Sequence, residues 1–170
     1  MTAPQIRWPA KSDPARAPIH VRNELAMPAS PAVVWDILIK AGDWPAFYGN
    51  ARDVVVADGG QKLTAGARFV WTTFGVRLQT VVEEFVPFER IAWTARAFGV
   101  LAYHAWLIAP TEQGCLVITE ETQYGVLARA SRALFPTRME HWHQLWLEGL
   151  RDRAAQAHVD PATTASTASP

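Results

Sequence analysis

The sequence is short of cysteine and of excess charge. Its single cysteine, Cys115, excludes a disulfide within the chain. Sixteen basic and sixteen acidic residues give a formal net charge of +0. Because a chain without a positive excess lacks the general attraction that draws proteins to nucleic acid, we expect no nucleic-acid partner. A neutral surface gives little repulsion between identical chains, so both a monomer and a homodimer remain open.

Long apolar runs and recognisable cofactor motifs are also missing. No apolar stretch reaches the ~20 residues of a membrane-spanning helix, so we expect no stable membrane insertion. Residues 1–17 contain no apolar segment typical of a secretory signal, and we therefore expect a cytoplasmic location. The sequence has no Gly-rich phosphate loop, nucleophile elbow or zinc pattern, and on that basis no cofactor is predicted.

Three residues come nearest to a nucleophile or a metal site: Cys115, His141 and His143. Cys115 opens an apolar run over residues 115–118, which is typical of a buried strand, and the sequence shows no activating base. On a helix, side chains two residues apart point to different faces. Since the sequence also identifies no third ligand, we predict no metal site at these histidines.

Eight tryptophans are the unusual feature of the composition. Tryptophan offers a large apolar surface and one N–H donor. It therefore suits a core filled with bulky side chains, and it equally suits the wall of a ligand pocket. The sequence leaves both interpretations open, and each can hold for different tryptophans.

The chain divides into an arm, a domain and a tail. Residues 1–18 are rich in proline and alanine and are predicted to form a flexible arm. Residues 160–170 consist almost entirely of Ala, Thr, Ser and Pro and are predicted to be disordered. The folded domain is therefore expected over residues 19–159.

Alternation and capping signals predict how this domain begins. Ile19–Met27 alternates between apolar and polar positions and is predicted to be a strand. Ser30 and Pro31 follow as the N-cap and first residue of a short helix that ends at Gly42. A second short helix is predicted over residues 44–48. Two short helices therefore separate the first strand from the rest.

Strands and one long helix account for the remainder of the domain. Six further strands are predicted, at residues 51–57, 67–73, 76–85, 90–98, 101–109 and 115–124. Their short turns require antiparallel pairing, because a parallel connection needs about a dozen residues. Residues 137–159 follow helical spacing with an apolar stripe. The predicted fold is α+β: a curved antiparallel sheet of about seven strands, two short helices after the first strand, and a long C-terminal helix on one face.

The pattern does not decide whether the core under this helix is hollow. Gly149 lies on the apolar stripe, where a larger residue would fill space. Thr73, Thr80 and His104 lie among aromatic residues on the presumed inner strand faces, as the few polar groups of a pocket do. The same residues fit an ordinary core with a glycine irregularity, and the pattern alone favours the filled core.

Several short motifs follow one another in order between residues 21 and 155. They are ASPAVVWDIL (29–38), WP (44–45), LTAGARF (63–69), VVEE (81–84), RIAW (90–93), HAWL (104–107) and TEE (119–121). Their order and spacing resemble the START-like or SRPBCC superfamily, in its polyketide cyclase/dehydrase and lipid-transport branch. The resemblance implies a helix-grip fold with a deep cavity under the C-terminal helix, which holds a hydrophobic small molecule (polyketide, aromatic or lipid-like). It implies no single activity, because members include cyclases and aromatases as well as lipid binders.

Candidate site residues follow from the strand faces and the helix stripe. The ordinary pKa of a histidine side chain suits proton transfer near neutral pH, and His104 is within reach of Glu121 on the next strand, or of Glu120 if the register shifts by one. Such a pair can remove a proton next to a ketone, so His104 and Glu121 are the predicted catalytic residues. The alternative is that His104 lies on the solvated face or makes a structural hydrogen bond. The predicted ligand-binding residues are Phe69, Trp71, Thr80, Trp93, Trp106, Trp142, Trp146 and Gly149.

Two questions stay open at this point. Arg77, Glu83 and Arg96 are either cavity groups or solvated strand positions, and the pattern favours solvent. The protein is either a cofactor-free polyketide cyclase, aromatase or dehydratase, or a non-catalytic lipid or small-molecule carrier or interaction module.

Overall fold

Seven strands form one antiparallel sheet in the computed structural model, which describes residues 5–159. The strands are β1 (Ile19–Met27), β2 (Arg52–Val56), β3 (Arg68–Thr73), β4 (Val76–Val86), β5 (Arg90–Ala97), β6 (Val100–Thr111) and β7 (Gly114–Tyr124). Their order across the sheet is β1-β7-β6-β5-β4-β3-β2, so β1 pairs with the last strand. Short turns between neighbours impose this arrangement. The predicted α+β fold is confirmed.

The described residues contain three α-helices: α1 (Pro31–Leu38), α2 (Val126–Leu134) and α3 (Arg138–Val159). α1 begins where predicted, because the Ser30 side chain accepts a hydrogen bond from the Val33 N–H at 3.4 Å. Pro136 lies between α2 and α3, as expected for a residue that interrupts a helix. None of these helices combines the length and the apolar character that crossing a membrane requires.

The second short helix differs from its prediction. It is a 3-10 helix over Ala41–Ala46 rather than a helix over residues 44–48. The Asp43 N–H donates to the Lys40 carbonyl at 2.9 Å, so the tight turn begins before the predicted N-cap. This segment carries Trp44 into the core.

α1 and α3 cover one face of the sheet, and the main core lies beneath them. A Cβ at Gly149, on α3, would overlap the carbonyl oxygen of Phe47. Gly149 therefore allows the helix to approach the chain that follows the 3-10 helix. This close backbone approach differs from the ligand-binding role predicted for Gly149, because the space beside it is already taken.

The N-terminal segment lies against the opposite face of the sheet. Ile6 and Trp8 pack there on a small apolar group around Tyr103. The Thr122 hydroxyl donates a hydrogen bond to the Ser12 carbonyl at 3.3 Å. The described part of the predicted flexible arm thus makes contacts with the sheet that the sequence did not indicate. The predicted disordered tail, residues 160–170, lies outside the described residues.

Candidate functional site

Six aromatic side chains occupy the middle of the space between the sheet and α3. They form the aromatic cluster: Trp44, Tyr48, Trp71, Trp93, Trp106 and Trp146. Trp146, on α3, stacks on Tyr48 with ring centroids 4.3 Å apart and meets Trp44 edge-on at 5.0 Å. The Trp44 indole N–H also donates to the Leu38 carbonyl at 2.9 Å. In this region the tryptophans fill the core.

Side-chain size falls along β5 and β6 away from the aromatic cluster. On the inner face of β5, Trp93 is followed by Ala95. On the same face of β6, Trp106 gives way to His104 and then to Ala102. Ala95 and Ala102 are partners in the antiparallel register. Two small side chains together leave space that bulky rings occupy one step along the strands, so the core opens here.

A cavity of about 120 Å³ lies at this end, between the sheet, α2 and the first turns of α3. Most of its wall is apolar, with Leu78, Ala95, Ala102 and Ala128 among the lining residues. Phe135 also lines it and is 52% exposed, so the cavity reaches the surface beside α2. Pockets for drug-sized ligands measure about 300–1,000 Å³, so this cavity suits a single ring or a short chain.

Three ionisable side chains lie together in the cavity wall; they form the His–Glu–His cluster (His104, Glu121 and His143). Glu121 on β7 is directly opposite His104 on β6 in the antiparallel register. His143 reaches them from α3, so that Glu121 Oε2 lies 3.2 Å from His104 Nδ1 and 3.3 Å from His143 Nε2. The two imidazole rings are 4.7 Å apart and nearly parallel. All three side chains are buried.

Polar contacts favour one tautomer of each imidazole. An ionised carboxylate only accepts hydrogen bonds, so its contacts with His104 Nδ1 and His143 Nε2 favour the tautomers that carry the proton on these two nitrogens. His104 Nε2 then accepts from the Thr119 hydroxyl, at 2.7 Å. Gln123 donates to the other oxygen of Glu121, Oε1, at 2.6 Å. In this tautomer the remaining lone pair of His143 is on Nδ1, and Nδ1 has no hydrogen-bond partner among the described residues.

Burial sets the charge of the cluster. It lowers the pKa of His104 to about 3, although Glu121 opposes this and His143 adds to it. His104 is therefore a neutral imidazole at pH 7. Burial alone would raise the pKa of Glu121, but His104, His143 and Gln123 outweigh it and hold that pKa below its ordinary value. Glu121 thus carries a negative charge inside the core.

Two indole N–H groups at the cavity also lack partners. Trp93 Nε1 and Trp146 Nε1 are buried, and neither has a hydrogen-bond partner within residues 5–159. Both tryptophans line the cavity. Together with the His143 Nδ1 lone pair they provide two donors and one acceptor beside it. Buried polar groups normally have partners, so these atoms suit a ligand that carries a hydroxyl or a carbonyl.

The structure brings some of the predicted site residues together at the cavity. The predicted residues that line it are Trp71, Trp93, His104, Glu121 and Trp146. Of the open register alternatives, Glu121 and not Glu120 faces His104. The predicted catalytic pair therefore stands at the cavity wall, and its role there remains a prediction.

Other predicted site residues lie away from the cavity. Phe69, Thr80 and Trp106 are buried in the packed core, where neighbouring rings fill the space beside them. Thr80 serves as the acceptor for the Trp71 indole N–H at 3.1 Å. Trp142 is half-buried at the border of the aromatic cluster.

The three charged residues left open in the sequence, Arg77, Glu83 and Arg96, are exposed. All three occupy strand positions that point away from the core, so the solvated interpretation agrees with the structure.

His143 is the site residue that the sequence analysis missed. His141 and His143 are two residues apart on α3. Because His141 is exposed and His143 is buried, the two do not share a site. The sequence contains one signal that points to His143: it is a histidine within the apolar stripe of the helix, between Trp142 and Trp146. A buried ionisable group needs a polar partner, but only the fold shows that the partner is Glu121.

Comparison with known proteins identifies the family. A family model described as polyketide cyclase/dehydrase and lipid transport matches residues 18–155. The chain belongs to this family. The resemblance seen in the order of its motifs is thereby confirmed. A search of curated protein sequences found no match.

Solved structures show the same fold. A hypothetical protein from Helicobacter pylori is 31% identical, with a TM-score of 0.84 over 91% of this chain and 98% of that one. A protein from Thermus thermophilus is 20% identical, with a TM-score of 0.66 over 82% of this chain and 99% of that one. The di-domain ARO/CYC BexL from the BE-7585A biosynthetic pathway is 17% identical, with a TM-score of 0.64 over 80% of this chain and 50% of BexL. The predicted helix-grip fold is therefore confirmed.

Proposed function

We propose that this family member binds a small, uncharged hydrophobic molecule in the cavity beside the His–Glu–His cluster. The observation that carries the proposal is an apolar cavity whose wall holds a buried carboxylate flanked by two imidazoles. Ligand pockets typically combine an apolar wall with a few polar anchors. The family description, which names both polyketides and lipids, agrees with a hydrophobic ligand.

The volume of the cavity and the polar groups in its wall indicate which class of ligand fits. A volume of about 120 Å³ matches one ring, since a cavity of about 150 Å³ holds benzene. The negative charge on Glu121 opposes a ligand carboxylate at this depth, because like charges repel strongly in a poorly solvated site. The indole N–H groups of Trp93 and Trp146 suit a hydroxyl or carbonyl oxygen. A phenol or a cyclic ketone therefore fits better than a fatty acid.

The same cluster supports a second proposal, acid–base catalysis on the bound molecule. Cyclisation or dehydration of a polyketide requires a proton to be removed next to a carbonyl and returned elsewhere. Both nitrogens of His104 already contact polar side chains, whereas His143 Nδ1 has no hydrogen-bond partner within residues 5–159 and can accept a proton. In this proposal Glu121 and His143 transfer the proton, and His104 holds Glu121 in place. A carrier would release its ligand unchanged.

Tryptophan fluorescence tests the binding proposal. Trp71, Trp93 and Trp146 line the cavity, so a bound aromatic molecule should quench emission in a saturable way. The titration compares phenols and cyclic ketones of one ring with larger aromatic polyketides and with fatty acids. We expect the single-ring compounds to bind most tightly.

A matched pair of variants locates the binding. Ala102→Leu places a larger side chain in the cavity wall and should weaken binding at least about tenfold. Ala26→Leu makes the same change at an exposed position of β1 and should leave binding unchanged. The proposal is contradicted if no compound quenches the fluorescence or raises the melting temperature, or if both variants bind as the wild type does.

Turnover of polyketide substrates separates an enzyme from a carrier. Glu121→Gln and His143→Gln should abolish turnover while the fluorescence titration still detects binding. His104→Ala should also lower turnover, because it removes the imidazole whose Nδ1 lies 3.2 Å from Glu121 Oε2. His141→Gln, on the exposed side of α3, is the control and should retain full activity. A wild-type protein that binds the compounds and converts none of them is a carrier.

A further inference from the structure

We propose that the His–Glu–His cluster binds one divalent transition-metal ion, with Zn²⁺ as its representative. The ligand atoms are His104 Nδ1, Glu121 Oε2 and His143 Nε2. The inference concerns the site of the proposed function, but it does not require that an organic ligand binds. The sequence predicted no metal site, because His141 and His143 point to different faces of the helix and no third ligand could be identified. In the structure, His104 and Glu121 on the sheet supply the two further ligands.

The spacing of the three atoms suits a shared ion. Ligand atoms about 2.0–2.1 Å from a Zn²⁺ ion lie about 3.4 Å apart in tetrahedral geometry and about 3.0 Å apart in octahedral geometry. The carboxylate oxygen lies 3.2 Å and 3.3 Å from the two imidazole nitrogens, between these values. All the ligating atoms of the cluster lie within 4.8 Å of one another. The two imidazole rings stack nearly parallel with centroids 4.7 Å apart, so both rings must rotate before their nitrogens point at one ion.

Outer contacts already orient two of the three ligands. His104 Nε2 lies 2.7 Å from the Thr119 hydroxyl, which accepts its N–H once Nδ1 is bound to a metal. Gln123 holds Glu121 Oε1 at 2.6 Å, so Oε2 is the oxygen left for an ion. Hydrogen bonds of this kind to metal-binding histidines and carboxylates fix their orientation and strengthen the site.

The surroundings also favour a cation. Glu121 is a buried carboxyl group, and buried carboxyl groups in proteins are normally paired or bound to metals. Two imidazoles and one carboxylate are the donor set of open zinc and iron sites rather than of closed structural sites. All three residues line the cavity, so the remaining coordination positions face it, and the cavity gives an ion a route from the surface. A bound ion would act as a Lewis acid on a carbonyl in the cavity.

Metal titration of the full-length, tag-free chain tests the site. The protein is first treated with a chelator and then titrated with Co²⁺, whose visible absorption reports nitrogen and oxygen ligands, and with Zn²⁺ in competition. We expect one ion per chain. Glu121→Gln and His143→Gln should each weaken binding at least about tenfold, and His141→Gln should bind as the wild type does.

A measurement on the wild type covers the case in which a variant fails to fold. X-ray absorption of the zinc-loaded protein should show two imidazole nitrogens and at least one oxygen around the ion. The proposal is overturned if the chain binds no Co²⁺ or Zn²⁺, if the cluster variants bind as tightly as His141→Gln, or if the bound zinc has no imidazole ligands. Since no organic ligand is present, these outcomes are independent of the fluorescence titration.

Discussion

The two halves of α3 face different surroundings although they belong to one helix on one sheet. The C-terminal half presents Leu150 and Ala154 to a closely packed core, and both are fully buried. The N-terminal half presents Met139 and His143 to a cavity. Where the core is packed, burial of apolar surface stabilises the fold. At the other end, packing gives way to a cavity whose wall contains several polar side chains.

The opposing strands explain why the two ends differ. Trp93 and Trp106 fill the packed region, whereas Ala95 and Ala102 on the same inner faces leave the cavity. Proteins commonly depart from close packing at functional sites and gain stability elsewhere. Because the aromatic cluster buries large apolar side chains, we expect substitutions there to affect stability more than equivalent changes at the cavity.

The largest expected effect is on the aromatic cluster itself. Trp44→Ala removes a fully buried ring that packs on Trp146 and donates to the Leu38 carbonyl. The free energy of unfolding should fall by about 3–5 kcal/mol, measured by urea denaturation. Trp142→Ala is the control, because Trp142 is only half-buried, and it should cost less than about half as much. Equal losses would show that the cluster does not dominate stability.

The next largest loss of stability is expected at Gly149, where α3 lies against the backbone of Phe47. In Gly149→Ala the new Cβ overlaps the Phe47 carbonyl oxygen, so the helix must shift. We expect a loss of about 1–3 kcal/mol in the same assay, even though alanine favours helix formation by about 1 kcal/mol. Gly42→Ala, where the atom nearest to a new Cβ is 4.0 Å away, should change stability by less than about 0.5 kcal/mol. A stable Gly149→Ala protein would mean that the space is open after all.

The third prediction compares the same alanine-to-leucine substitution in the packed part of the core and at the cavity. Ala154→Leu, on α3 in the packed core, should cost about 1–3 kcal/mol because it overfills that region. Ala102→Leu fills part of the cavity and should change stability by less than about 1 kcal/mol. Both are measured by urea denaturation. If Ala102→Leu is the more damaging of the two, the cavity is not free space.

The smallest effect is chemical and leaves the fold unchanged. Cys115 is fully buried in the packed core, and burial raises the pKa of its thiol to about 11. Little thiolate is therefore present at pH 8, and reagents have no access to it. We expect no labelling by iodoacetamide in the folded protein and complete labelling in urea, as measured by mass spectrometry. Rapid labelling of the folded protein would show that the packed core around Cys115 opens readily.

Periodicity was sufficient to predict most of the fold. The alternation in the strands and the short turns between them led to the antiparallel sheet, and the apolar stripe over residues 137–159 led to α3. These features are local, so a single sequence contains them. The 3-10 helix Ala41–Ala46 was misplaced because such turns carry no hydrophobic period.

The site was less predictable because it depends on contacts between distant elements. Glu121 opposite His104 could be proposed from strand order, but the register left Glu120 as an alternative. His143 lies on the apolar stripe of α3, but the spacing of the helix does not show that its partner on the sheet is Glu121. The cavity depends on the pairing of Ala95 with Ala102, which the register alone reveals.

The most direct test of the binding proposal follows the indole N–H signals of the tryptophans by NMR during titration with a single-ring phenol. Trp93 and Trp146 line the cavity, and their N–H groups have no hydrogen-bond partner in the described part of the chain. The Trp44 N–H, by contrast, donates to the Leu38 carbonyl, and Trp8 lies on the far face of the sheet. We predict saturable shifts of the Trp93 and Trp146 signals, with those of Trp44 and Trp8 nearly unchanged. Signals that all stay in place, or that shift equally, would contradict a ligand site in the cavity.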